Sequence, residues 1–126
     1  MNEQLLFLEA RLVKAIAHPT RLKILHLLDE GGPRCVCELI PALGLDQSNV
    51  SQHLSLLRQA GVLTAQRDGA RVVYSLANPK VAGVLEAVTE AVNHSLTEMA
   101  RLSKESRRTV GGAARGAEEL MRKSSV

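Results

Sequence analysis

Residues 46–61, DQSNVSQHLSLLRQAG, decide the fold, because they describe one short helix with a marked beginning and a marked end. Asp46 is suited to accept a backbone N–H from the first turn, and Gly61 is suited to the position just after a helix C-terminus. One apolar stripe recurs at helical spacing and consists of Val50, Leu54 and Leu57. We therefore predict a helix with one buried side and one free side.

The free side of this helix is uncharged and rich in short hydrogen-bonding groups. A helix face that only meets solvent usually carries Lys and Glu, whereas side chains that read base edges in a DNA groove are Gln, Asn, Ser, Thr and Arg. A solvated face is the alternative for this stretch taken alone. With the elements around it, we predict a DNA-reading helix whose contacts come from Gln47, Ser48, Asn49, Ser51, Gln52 and His53.

The flanking elements complete a helix-turn-helix with a wing. Helices are predicted at residues 3–17, from Pro19 to Asp29, and from near Cys37 to Gly44. After the reading helix, Asp68-Gly69 separates two β-prone runs, which is a strong signal for a hairpin. Arg67 and Arg71 lie on either side of its tip and are candidate phosphate contacts, or otherwise solvated turn residues. The predicted fold is mainly α with a small β-hairpin wing, a winged helix-turn-helix.

The two terminal helices are predicted to form a dimer interface. The last helix opens at Asn78-Pro79, and its apolar residues follow a four-three alternation that is typical of a coiled-coil seam. The seam consists of Val81, Leu85, Val88, Val92, Met99 and Leu102. The alternative is that both helices fold back onto their own domain. We predict a winged-helix and dimerisation domain over residues 1–102 and a polar, mobile tail over 103–126, with a short helix near 113–123.

Composition limits the possible functions. The chain has 126 residues, 45% of them hydrophobic but only 2% aromatic, so base stacking on single strands is disfavoured. A net charge of +3 is compatible with a polyanionic partner. No apolar run is long enough for a membrane span, and the acidic, amphipathic opening is unlike a secretory signal, so we expect a cytoplasmic protein without a membrane partner. No constellation of catalytic residues is present, and the chain is not expected to be an enzyme.

Cys35 and Cys37 are expected to be thiols, because a disulfide between residues i and i+2 is strained. They lie at the start of the third helix, where the helix dipole lowers a thiol pKa. Within an undistorted helix the two side chains would point about 200° apart. Both sulfurs therefore reach one ion only if the helix begins late or unwinds.

Several motifs together resemble the ArsR/SmtB family of bacterial metal-sensing repressors: KAIAHPTRLKILHLL, CVCEL, SQHLSLLRQAGVL and VVYSL. The resemblance covers roughly residues 8–100. It implies a winged-helix homodimer on a double-stranded, inverted-repeat operator, released when an inducer reaches a sensor site. CVCEL is similar to the thiolate box of the arsenic, antimony and cadmium sensors, which makes Cys35 and Cys37 candidate ligands for As(III), Sb(III) or Cd(II). No organic cofactor is implied.

The chain departs from the family patterns at several sensor positions. The third cysteine of the arsenic-type box is replaced by Ile40, and the N-terminal arm lacks the cysteines of cadmium sensors. The positions that bind zinc in other members correspond to Asn78 and Lys80. A second candidate site pairs His94 with Glu98, four residues apart on one helix. Three alternatives stay open: a thiol redox-responsive repressor, a winged-helix regulator with no cysteine sensor, and a module that binds protein instead of DNA.

Overall fold

The computed structural model describes residues 1–109. The elements in chain order are α1 (Glu3–Ile16), α2 (Pro19–Gly31), β1 (Arg34–Cys35), α3 (Val36–Leu43), α4 (Gln47–Gln59), β2 (Leu63–Asp68), β3 (Arg71–Leu76) and α5 (Pro79–Thr109). Met1–Leu85 forms one compact unit, and a second begins at Glu86, of which the remainder of α5 is described. This order confirms the predicted winged helix-turn-helix.

The core of the first unit lies where α2, α3 and α4 meet. Side chains with no exposed surface come from each of these helices, among them Ile24, Leu39 and Leu54. Val50 and Leu57 are also fully buried, so the predicted stripe of α4 faces this core along its whole length. Burial of such a side chain is worth roughly 1.5–3 kcal/mol, and this packing holds α4 in one orientation. The opposite side of α4 is therefore presented outward.

The wing is a three-stranded antiparallel sheet in the order β1-β3-β2. The predicted hairpin is confirmed, with Asp68 opposite Arg71 and a two-residue loop that begins at Gly69. Gly69 has φ +63°, a left-handed conformation that glycine adopts without steric cost. Strand β1, which pairs Cys35 with Val73, was not predicted. Two residues of strand carry too little pattern to predict from sequence alone.

Helix α3 begins at Val36, one residue before the predicted start, and ends before Gly44, which has φ +67°. Pro41 is the sixth residue of α3 and lies in its second turn. Proline has no N–H, so it cannot donate to the carbonyl of Cys37 four residues earlier. The first turn of α3 is thus held by fewer backbone bonds than an uninterrupted helix would provide.

Some apolar residues of α1 and α5 are packed into the core, and others are exposed. Leu12 and Ile16 at the end of α1, with Val81 and Leu85 at the start of α5, pack into the core of the first unit, as the fold-back alternative expected. Other large apolar side chains of both helices remain exposed: Leu5, Leu6, Phe7, Leu8 and Val13 of α1, and Val84, Val88, Val92 and Leu102 of α5. The proposed seam is therefore only partly used within the chain.

Helix α5 continues to Thr109, seven residues beyond the boundary predicted after Leu102. Residues 103–109 contain Lys, Glu and Arg and neither Gly nor Pro, so nothing in them stops a helix. Residues 110–126, which include the short helix predicted near 113–123, lie outside the described residues. Within residues 1–109, no helix is long and apolar enough to cross a membrane.

Candidate nucleic-acid interface and thiol site

The reading helix α4 begins at a side-chain cap. Asp46 is extended, with φ −75° and ψ 165°, and its Oδ1 accepts the backbone N–H of Asn49 at 2.8 Å. At the other end, Gly61 follows the helix with φ +78°, as the sequence predicted. The predicted contact residues on its outward side are all exposed: Gln47, Ser48, Asn49, Ser51 and Gln52. The fold thus presents a row of uncharged donors and acceptors on one rigid helix.

His53 differs from the other candidate contacts because it is partly buried on the flank of α4. Its Nδ1 accepts a hydrogen bond from Nε of Arg21 at 3.2 Å, and its ring lies 4.8 Å from the ring of His18. Burial lowers the pKa of His53 from the ordinary 6.5, and the charges of His18 and Arg21 lower it further. The neutral form of His53 is therefore favoured, and its bond to Arg21 ties α4 to the start of α2.

The two wing arginines lie on opposite faces of the sheet. Arg67 is paired with Val72, and Arg71 is the residue just before Val72 in β3. Because side chains alternate along a strand, the two guanidinium groups lie on different faces. Both are exposed, and Arg71 lies 3.7 Å from Asp68 in a solvent-exposed ion pair. Such a pair is worth little in water, so Arg71 can exchange its carboxylate for a phosphate at small cost.

Cys35 and Cys37 form a disulfide, and the prediction of two thiols is wrong for this state of the protein. The reason lies in the backbone: Cys35 precedes α3 in extended conformation, with φ −81° and ψ 165°, so the two residues do not share a helix. Their Cα atoms are 5.2 Å apart, within the range that accommodates a disulfide. The angular separation expected inside a helix therefore does not apply, and the two sulfurs lie side by side.

A cleft of about 260 Å³ connects the cysteines to the start of α4 and to the wing. Its lining includes Cys35 and Cys37, Gln47 at the start of α4, and Arg71 of the wing. Cys35 reaches the wing because β1 pairs with β3, and its backbone N–H donates to Oε1 of Glu38 at 3.3 Å. This junction was not predicted, because the two residues of β1, Arg34 and Cys35, carry no sequence signal for a strand.

The other candidate metal positions have different partners. Glu98 accepts hydrogen bonds from Arg101, with Oε1 2.6 Å from Nη2, and this contact lowers the pKa of the carboxyl. A metal shared by His94 and Glu98 would compete with that guanidinium for the carboxylate. Asn78 caps α5 by accepting the backbone N–H of Lys80 at 2.8 Å. No group of three or more His, Cys, Asp or Glu residues within residues 1–109 is arranged to hold a metal ion.

Comparison with known sequences identifies regulatory proteins. Residues 18–65 match the family described as "Bacterial regulatory protein, arsR family". The chain is 40% identical over 114 residues to the HTH-type transcriptional regulator Rv0081 of Mycobacterium tuberculosis (strain ATCC 25618 / H37Rv), covering 90% of this chain and 97% of that protein. It is 40% identical over 84 residues to the arsenical resistance operon repressor of Escherichia coli (strain K12), covering 67% of this chain and 72% of that protein.

Solved structures agree with the fold. The crystal structure of Rv0081 superposes with a TM-score of 0.71 at 42% identity, covering 77% of this chain and 97% of that one. The solution structure of the homodimeric winged helix-turn-helix DNA-binding domain Mb0332 from Mycobacterium bovis gives 0.68 at 32% identity, covering 74% and 88%. These comparisons confirm the winged-helix fold and the prediction that the chain is a transcriptional regulator and not an enzyme.

Proposed function

Because this chain belongs to the arsR family of bacterial regulatory proteins, we propose that it is a homodimeric repressor that releases an inverted-repeat operator when a thiophilic ion binds Cys35 and Cys37. The observation that carries the DNA-binding part is the outward side of α4. The exposed residues of its first half, from Gln47 to Gln52, are uncharged donors and acceptors, while Val50, Leu54 and Leu57 fix the helix from the opposite side. Gln52 is our leading candidate for reading a base.

The wing supplies a phosphate contact next to the beginning of α4. Arg71 lines the same cleft as Gln47, so a phosphate held by Arg71 would lie beside the first residue of the reading helix. Arg67 lies on the other face of the wing and would contact a different part of the backbone. Contacts of this kind fix the position of α4 in the groove without reading sequence.

The exposed apolar residues support a dimer. Leu5 and Leu8 of α1 are 50% and 56% exposed, and Val88 and Val92 of α5 are 41% and 47% exposed. Leaving such stripes in water is unfavourable, and a second copy of the chain buries them by two-fold symmetry. A two-fold dimer places two copies of α4 about 34 Å apart, which is one turn of DNA, so the operator is expected to be an inverted repeat.

The thiol pair suits a thiophilic inducer once the disulfide is reduced. Two equivalents of a small thiol convert the bridge into two Cys thiols and leave with their own disulfide, so the electrons balance. Two neighbouring thiolates fit trivalent arsenic or antimony, whose lone pair leaves three positions, better than tetrahedral cadmium or zinc. The relative that is an arsenical resistance operon repressor supports this choice of ion class. A bound ion would act on Cys35, Gln47 and Arg71 through their shared cleft.

The disulfide favours a second candidate, a redox-responsive repressor of the same fold. Peroxide would convert the two thiols into the disulfide with release of two waters. Oxidation would change the junction of β1 with β3 and the first turn of α3, where Pro41 has already removed one backbone bond. The metalloid and redox proposals use the same residues and differ in the molecule that acts on them.

One titration tests both proposals. Reduced protein on its own promoter DNA would be challenged separately with arsenite, antimonite, cadmium, zinc and peroxide, with DNA binding followed by fluorescence anisotropy. We expect release by arsenite or antimonite, whereas release by peroxide alone would favour the redox candidate. The variant with Cys35→Ser and Cys37→Ser should bind DNA normally and be released by none of them. If this variant is still released at the same concentrations, the sensor lies elsewhere.

The DNA contacts are tested with two substitutions of different kinds. Gln52→Ala should cost roughly 1–3 kcal/mol and relax the preference at one base position. Arg71→Ala should weaken binding to all DNA sequences alike and reduce the dependence of the affinity on salt. Equal affinity of the unmodified protein for promoter and random DNA would contradict the proposed operator recognition.

A further inference from the structure

A cationic cleft lies between α1 and α4, on a side of the reading helix that the wing does not reach. It has a volume of about 280 Å³ and is lined by Arg11, Lys14, Ala15, Arg21, Leu56, Gln59 and Ala60. The cations of this cleft are Arg11, Lys14 and Arg21. None of them takes part in an ion pair within the described residues. The three positive charges lie around one cleft whose lining contains no carboxylate. Their combined field favours the binding of an anion.

Two of the three cations are held in place by hydrogen bonds to neutral acceptors. Nη2 of Arg11 donates to the carbonyl of Gln59 at 3.1 Å, near the end of α4. Arg21 donates from Nη1 to the carbonyl of Ala15 at 3.0 Å and from Nε to His53 at 3.2 Å. Each guanidinium has five N–H donors, so these bonds leave others for a ligand without neutralising the charge. The groups are fixed before an anion arrives.

The cleft and the wing lie on opposite flanks of α4. Leu56 lines the cationic cleft, whereas Gln47 lines the cleft shared with Arg71. The two residues are nine positions apart in α4, which places them about 180° apart around the helix. The exposed, polar side that carries Gln52 runs between these flanks. The reading helix thus has cations on both of its sides.

A helix in the major groove lies between two phosphate backbones, because the groove is about 12 Å wide and bounded by one strand on each side. We propose that Arg11, Lys14 and Arg21 bind the phosphates of the backbone opposite to the one that the wing contacts. This inference rests on the proposed docking of α4 in the groove. It adds a second set of phosphate contacts, contributed by α1 and α2, to the contacts of α4 and the wing.

Lys14 remains available in the proposed dimer. It is exposed and lies about 180° from Leu5 and about 120° from Leu8 around α1, on the side away from this leucine stripe. A partner packed on that stripe therefore leaves Lys14 free to reach DNA. Within the described residues its side chain makes no hydrogen bond or ion pair, so its substitution is the cleanest test.

The experiment measures promoter affinity between about 50 and 200 mM salt for the unmodified protein, Lys14→Ala, Arg11→Ala and Lys80→Ala. Lys80 is the matched control, an exposed lysine in the first unit that lines a different cavity, between α1, α2 and α5. Each phosphate contact contributes about 0.9 to the slope of log affinity against log salt, so losing one in each protomer should reduce its magnitude by about 2.

We expect this reduction for Lys14→Ala and Arg11→Ala, equally on promoter and random DNA, and an unchanged slope for Lys80→Ala. Arg21 is not substituted, because it also holds His53. If the slopes for Lys14→Ala and Arg11→Ala match the control, the proposed second set of phosphate contacts is wrong, while the proposed role of α4 is unaffected. If the unmodified protein itself shows no salt-dependent promoter binding, the proposed docking of α4 fails instead.

Discussion

The cap at Asp46 gives a prediction that separates the stability of α4 from its affinity for DNA. Asp46→Ala removes two contacts, from Oδ1 to the N–H of Asn49 at 2.8 Å and from Oδ2 to its side-chain nitrogen at 3.2 Å. Loss of an N-cap costs about 1 kcal/mol, within a range of roughly 0.5–2 kcal/mol. For a domain of this size, about 1 kcal/mol lowers Tm by roughly 4–8 °C. Asp46→Asn keeps a side-chain oxygen that can accept the N–H of Asn49, so it should lower Tm by less.

Thermal unfolding followed by circular dichroism at one fixed protein concentration measures this loss, since dimerisation makes Tm depend on concentration. Well below Tm, promoter affinity should be unchanged or slightly tighter for both variants, because each removes a carboxylate from the helix end that approaches phosphates. Equal Tm values for Asp46→Ala, Asp46→Asn and the unmodified protein would show that the cap does not stabilise α4. A lower affinity for both variants would contradict the docking of this helix end on DNA.

Three further predictions concern pH, assembly and packing. Because burial and the charges of His18 and Arg21 lower the pKa of His53 below 6.5, the unfolded chain takes up this proton first as pH falls. Stability should therefore be full above pH 6.5 and decrease below it, and denaturant unfolding of His53→Asn between pH 7.5 and 5.5 should show a weaker dependence. Val88→Glu should give a monomer by light scattering with little DNA affinity, and a dimer that binds DNA would exclude this position from the interface. Leu54→Ala, at a side chain with no exposed surface, should cost roughly 2–5 kcal/mol in chemical unfolding, and a loss near zero would mean that α4 is not anchored there.

Elements whose signals are local could be predicted from the amino-acid sequence. The reading helix α4 could be placed because its cap, its apolar stripe and its terminal glycine all lie within residues 46–61. The hairpin could be placed because Asp68-Gly69 fixes a two-residue turn, and a turn fixes the register of the strands that it joins. The polar side of α4 followed from the same periodicity that predicted its buried side.

Contacts between residues far apart in sequence could not be predicted in this way, because they depend on how the chain packs. The pairing of Cys35 with Val73 depends on a two-residue strand that has no detectable pattern, and it brings the cysteines beside Arg71. The bond between Arg21 and His53 spans 32 positions and links α2 to α4. The disulfide itself follows from the extended backbone of Cys35, which that strand pairing supports. Periodicity and turn chemistry report which side of an element is buried, whereas the partner across a cleft is fixed only when the whole chain packs.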